Sequence, residues 1–129
     1  MFHYGHLQFL QAAKKTADIL VVALEPDEFI RKRKQKEPIH TQRQRAEVLA
    51  ALTMVDYVIE LPLFTSDADY AMLVESVRPA VIAITQNDPY RKQKEEQAKT
   101  VHGVVHEVTP RIGELSTSSI QADATISSD

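Results

Sequence analysis

His3-Tyr4-Gly5-His6-Leu7-Gln8-Phe9-Leu10-Gln11-Ala12-Ala13-Lys14-Lys15 is the stretch on which the fold turns. Two imidazoles stand three positions apart, with a glycine between them, where a loop becomes a helix. On a helix, positions i and i+3 share a face, so both rings can point at one ligand. The first helical turn also presents unpaired backbone N–H groups and the positive end of the helix dipole, a setting that suits a phosphate. Gly5 leaves room for that phosphate to approach the backbone. The pattern therefore points to a nucleotide-phosphate cradle if the remaining residues supply a nucleotide-binding frame.

The 129 residues are enough for one domain with a real core. A net charge of −3 argues against a generic nucleic-acid binder, which is usually basic. There is no cysteine, which excludes disulfides and thiolate metal sites and fits a reducing, cytoplasmic setting. No apolar run approaches the ~18 residues of a membrane span, and no secretory signal opens the sequence.

Leu7, Leu10, Ala13 and Ala17 repeat at helical spacing and predict a helix over 6–17. Residues 18–24, Asp-Ile-Leu-Val-Val-Ala-Leu, are the continuous apolar run of a strand buried on both faces, broken by Glu25-Pro26-Asp27. Residues 27–40 are the most charged part of the chain. Arg31 to Lys36 reads as a solvated face or flexible loop, or as a cationic loop closing over phosphates. Thr41-Gln42-Arg43-Gln44 has capping-box form and starts a helix expected to reach Met54. Arg43 and Arg45 stand in its first turn, where the dipole disfavours them, so at least one should have another partner. Strands follow at 57–61, 80–84 and 104–108, with helices from Ser66 to Val77 and from Arg91 to Lys99. Pro110 to Ser119 is a hydroxyl-rich loop that could open a short helix, and 121–129 reads as a polar tail after a domain of residues 1–120.

Strands alternating with helices every ~20–30 residues predict an α/β fold, a Rossmann-like parallel sheet with helices on both faces. In such sheets ligands bind beyond the carboxyl ends of the strands. The polar loops at 25–40, 62–66, 85–90 and 109–119 converge there with the start of the first helix.

With these pieces in place, the chain resembles the cytidylyltransferase-like nucleotidyltransferases, a group that includes glycerol-phosphate cytidylyltransferase, heptose-phosphate adenylyltransferase and archaeal-type FAD synthetase. Three separated motifs carry the resemblance over about residues 1–121. His3, Gly5, His6, Phe9, Leu10 and Lys14 match the His-x-Gly-His signature and its continuation. Asp27-Glu28-Phe29, a Lys-x-Lys pair assigned to Lys34 and Lys36, and Arg45 resemble the lysine loop and helix arginine. Arg111 and Leu115-Ser116-Thr117-Ser118 resemble the Arg-Thr-x-Gly-Ile-Ser-Thr-Thr signature. Asp88 stands where the family places an aspartate near the base, although Gln86 replaces the preceding glycine.

The resemblance implies a reaction in which a substrate phosphate attacks the α-phosphorus of CTP or ATP and expels pyrophosphate, with Mg²⁺ held by phosphate oxygens and no protein metal site. In that scheme His3 and His6 donate to the triphosphate, and Lys34 and Lys36 clamp the acceptor and the α-phosphate. Gly5, Asp88, Arg111, Ser116, Thr117 and Ser118 bind nucleotide, while Lys14 and Arg45 contact phosphate or acceptor. The expected partners are a nucleoside triphosphate, a small phosphorylated acceptor and a second copy in a homodimer, with no nucleic acid and no membrane. The family's first strand would precede Met1, so it is missing from this sequence. A non-catalytic or N-terminally truncated relative, binding nucleotide or a partner without turnover, is the alternative.

Overall fold

The computed structural model describes residues 3–109 and 121–123. Arg111, Ser116, Thr117, Ser118 and the short helix expected before Ser119 lie outside the described residues.

Helix α1 spans Tyr4–Lys14 and buries Phe9, Leu10 and Ala13. It begins two residues earlier than the apolar spacing predicts because His3 caps it. It also ends earlier, where the Thr16 hydroxyl and N–H both donate to the Ala13 carbonyl. Strand β1 (Val21–Leu24) pairs in parallel with β2 (Tyr57–Glu60), Val21 opposite Tyr57 and Leu24 opposite Glu60.

Between these strands lie two helices, α2 (Asp27–Lys34) and α3 (Gln42–Ala50). The first corrects the expectation of a cationic loop. Pro26 sets the entry, Asp27 and Glu28 complement the positive end of the dipole, and the arginines and lysines fall toward the negative end. Gln35 then turns left-handed (φ 55°) and stops the helix. The box at the start of α3 is present as expected: Thr41 Oγ1 accepts from Gln44 N and Gln44 Oε1 accepts from Thr41 N. This helix is nonetheless four residues shorter than predicted.

Helix α4 (Asp67–Val77) leads to β3 (Val81–Thr85), and α5 (Arg91–Thr100) crosses to β4 (Val104–Thr109), which is parallel to β3. Gln121–Asp123, expected to be unstructured tail, forms β5 antiparallel to β3 and also lies against β1. The edge of the buried strand β3 needs ladder partners, and β5 supplies them. Among the described residues no ladder joins β1 directly to β3.

Helices cover both faces, as the pattern predicts. Ala83 packs with Phe9 and Leu10 of α1, Val22 and Leu24 of β1, and Leu49 of α3, whereas Ile82 and Ile84 pack with Val74 of α4 and Ala98 of α5. Successive β3 residues thus feed opposite layers, as the two-residue period of a strand requires.

Two polar anchors set the orientation. At the end of α1, Lys14 Nζ donates to the Asp18 carbonyl and to Asp56 Oδ2 (2.6 Å), beside the amino ends of β1 and β2. At the opposite edge, Gln42 Nε2 donates to the carbonyls of Leu24 and Leu61, tying together the carboxyl ends of the same strands. Helix α1 therefore runs against the strands, and its N-terminus lies roughly 15 Å away, toward their carboxyl edge.

The Lys14 ammonium, and next the Leu20 N–H, hold the Asp56 carboxyl below its ordinary range. A depressed carboxylate contributes stability above its unfolded pKa of about 4 and loses it as pH falls through the folded value. Acid unfolding followed by circular dichroism should therefore show a flatter limb below about pH 4 for Asp56→Asn than for the parent chain.

Candidate active site at the carboxyl edge

The histidine pair is built into the helix cap. His3 Nδ1 accepts the Gly5 N–H at 3.1 Å, and His6 Nδ1 accepts the His3 N–H at 3.1 Å. The arrangement is a capping box made of two imidazoles. In a neutral imidazole whose Nδ1 accepts, the proton sits on Nε2, so the cap assigns both rings the Nε2–H tautomer. Their centroids lie 4.0 Å apart with the planes tilted by 37°. His6 is buried, and the buried Nε2 of His3 has no hydrogen-bond partner among the described residues. The result is a side-by-side pair of N–H donors at the positive end of an 11-residue helix.

Other sequence candidates have different surroundings. Arg45 is buried and reaches back across the edge, donating to the Glu25 carbonyl at 3.0 Å and to Asp27 Oδ1 at 2.9 Å. Arg43 pairs with Glu60 at 3.2 Å, so both first-turn arginines have partners outside their helix. Asp88 opens α5: Oδ1 accepts the Tyr90 N–H at 2.8 Å and Oδ2 accepts from Lys94 Nζ at 2.5 Å. Burial pushes the Lys94 ammonium down, and Asp88 opposes that shift. Lys14 stands at the other end of α1 from the histidines, engaged with Asp18 and Asp56. Lys34 is the last residue of α2, and Lys36 is exposed just beyond the left-handed Gln35. Among the described residues no group of three or more His, Asp or Glu side chains is placed to hold a metal ion.

The same edge carries a cavity of about 250 Å³. Its walls come from the segments that follow β1, β2 and β3 and from α2, α4 and α5, with Glu25, Phe29, Arg33, Phe64, Tyr70 and Tyr90 prominent. The Tyr70 hydroxyl donates to Glu25 Oε2 at 2.6 Å, and burial followed by this carboxylate pushes the phenol well above its ordinary value. The phenol therefore keeps its proton and fixes the ring. The sequence reading places none of these six in a cavity wall, although Phe29 enters it through the Asp27-Glu28-Phe29 motif and Arg33 through the basic run. The available signal was positional, because Phe29, Phe64 and Tyr90 each follow a strand end within a few residues.

The cytidylyltransferase-like family profile matches residues 1–128. The chain is 35% identical over 108 residues to the FAD synthase of Thermococcus onnurineus, covering 84% of this chain and 70% of that protein. It is 41% identical over 83 residues to the bifunctional protein HldE of Geobacter sulfurreducens, covering 64% of this chain and 16% of that one. A lipopolysaccharide core biosynthesis protein from Thermoplasma volcanium shares the fold, with a TM-score of 0.66 at 24% identity over 85% of this chain and 87% of that one. The paired histidines at a helix start, on the carboxyl edge of an α/β fold, thus coincide with a profile spanning nearly all residues: the chain belongs to the cytidylyltransferase-like family.

Proposed function

We propose that the protein is a nucleotidyltransferase that moves AMP from ATP to a small phosphorylated metabolite. An acceptor phosphate oxygen attacks the α-phosphorus, a new phosphoanhydride bond forms, and the bond to the β,γ-pyrophosphate breaks. The observation that supports this reading best is the histidine cap, whose two Nε2–H groups are fixed as donors by the bonds at Nδ1. Donors already aimed at the place where charge develops lower the barrier without reorganising during the reaction. The FAD synthase relatives make an adenylate-containing dinucleotide, which favours ATP over CTP.

Histidine and lysine donors fit a triphosphate more readily than a bare cation. Mg²⁺ would therefore come in on the phosphate oxygens, neutralising their charge, with His3 and His6 holding the triphosphate itself. Lys34 and Lys36, at the end of α2 and just past it, would approach the acceptor and the α-phosphate. Gly5 would allow close backbone contact, and Arg111, Ser116, Thr117 and Ser118 would bind the remaining phosphates. Arg45 would act by positioning the Glu25–Asp27 turn, and Asp88 by fixing the start of α5. No helix among the described residues is long and apolar enough to cross a membrane. We place the activity in the cytoplasm, in a homodimer.

Pyrophosphate release with ATP or CTP, Mg²⁺ and a panel of phosphorylated acceptors tests the proposal. ATP-dependent pyrophosphate with at least one acceptor is the expected result. ATP binding without pyrophosphate from any acceptor would instead select the non-catalytic relative.

A further inference from the structure

Among the described residues β2 pairs with β1 alone, so one long side of β2 is an open edge. In a parallel ladder, alternate residues turn both their N–H and their C=O toward the neighbouring strand. Tyr57 and Leu61 donate to the carbonyls of Leu20 and Leu24, so the inward set is Tyr57, Ile59 and Leu61. The N–H and C=O groups of Val58 and Glu60 therefore point outward. Proline, lysine and bulges are the usual guards of such an edge, and β2 has none of them. Its one charged residue, Glu60, is paired with Arg43 at 3.2 Å.

The face of β2 away from α3 is open as well. Val58 packs with the core of α1, β1 and α3, so Tyr57 and Ile59 lie on the opposite face. Of the helices in that layer, α4 packs on α5, and α5 on β3 and β4. Tyr57 is left 62% exposed.

This edge is complementary to itself. Set a second β2 antiparallel to the first about a two-fold axis at Ile59. Val58 of each copy then faces Glu60 of the other, and each such pair can exchange two backbone hydrogen bonds. Ile59 meets its own counterpart at the position between them, where side chains approach closest. Helix α3 repeats the match in charge. It starts at the carboxyl edge, where Gln42 is bound, and runs back toward the start of β2. Arg43 is 73% exposed beside Glu60, and Glu47 is exposed one turn further on. One strand residue spans roughly two helical residues, which puts the axis level with about the middle of that turn. The two-fold therefore sets Arg43 of each copy against Glu47 of the other.

We propose that the outer edge of β2, with α3 above it, docks a second copy of this chain in an isologous interface that joins the two β2 strands. The inference gives the homodimer placed above its surface. It rests on that placement and not on nucleotidyl transfer.

Sedimentation equilibrium of the full chain, without nucleotide, tests it. The parent should show a reversible monomer–dimer equilibrium. Glu47→Arg and Arg43→Glu each set like charges together twice across the axis, and each should raise the Kd about tenfold or more. Mixed in equal amounts, the two variants should regain the parental Kd, because each then meets the opposite charge that it lost. Val58→Pro removes an outward N–H and spares the ladder to β1, so it too should weaken the dimer about tenfold or more. Met72→Lys, on the exposed side of α4, should leave the Kd as it was. A parent that stays monomeric at about 1 mM overturns the inference together with the homodimer. A dimer whose Kd is parental in all three β2 and α3 variants, or a mixture no tighter than its separate variants, overturns this surface and leaves the homodimer standing. The mass is read without ATP, so a failed pyrophosphate assay counts against the transfer reading only.

Discussion

Replacing His6 with alanine will slow pyrophosphate release on the order of 10²–10³-fold, the usual loss when one donor to a developing charge is removed. That corresponds to about 3–4 kcal/mol of transition-state stabilisation. Alanine also removes the acceptor of the His3 N–H bond, a capping loss of about 1 kcal/mol in stability. His6→Gln separates the two effects. Glutamine is the ordinary residue at this position of a capping box, so it can accept the His3 N–H and hold the helix start. Its melting temperature should stay near that of the parent while kcat remains low. A rate for His6→Gln equal to the parent's would show that the imidazole Nε2–H does not act on the triphosphate. The loss should also appear in kcat more than in KM, because the interaction strengthens as charge moves onto the leaving pyrophosphate.

The second large effect is on stability, at the ion pair between Asp88 and Lys94. Their side chains are 1% and 5% exposed, against 35% and 31% for Asp56 and Lys14. The exposed pair is worth at most about 1 kcal/mol. Removing one partner of a buried pair strands the other charge, and Asp88→Ala should therefore destabilise the chain by roughly 3–5 kcal/mol in urea unfolding. It also removes the acceptor for the Tyr90 N–H. With the opposing carboxylate gone, burial pushes the Lys94 ammonium further down. The unfolded chain then binds more protons than the folded one between the lowered value and about 10.4, so the variant should regain stability as pH rises through that window. The double variant Asp88→Asn, Lys94→Met should recover much of the loss at neutral pH, because no charge remains buried.

Much of the frame was legible in the sequence because it is written in local signals. The apolar runs of β1 and β3 and the Thr41/Gln44 cap depend on neighbours within four residues. The helical character of α2 was also written locally, in Pro26 and the acid-to-base gradient after it. The density of positive charge concealed it. The roles of Arg45, Asp88 and Tyr70 could not be read in the same way. Arg45 meets Asp27 18 residues away, and Tyr70 meets Glu25 45 residues away. Only the folded edge brings those partners together. The histidine motif marked the right helix end, yet the mutual cap that fixes its tautomers is a matter of geometry.

The placement of the rings has a practical consequence for optical work. With no tryptophan in the chain, intrinsic emission comes from tyrosine, and Tyr4 and Tyr57 lie in solvent at 70% and 62% exposure. Tyr70 and Tyr90 flank the cavity. A change in ultraviolet emission on adding a non-absorbing ligand therefore reports events at that pocket or beside Tyr4 in the histidine cap, while the aliphatic interior stays dark.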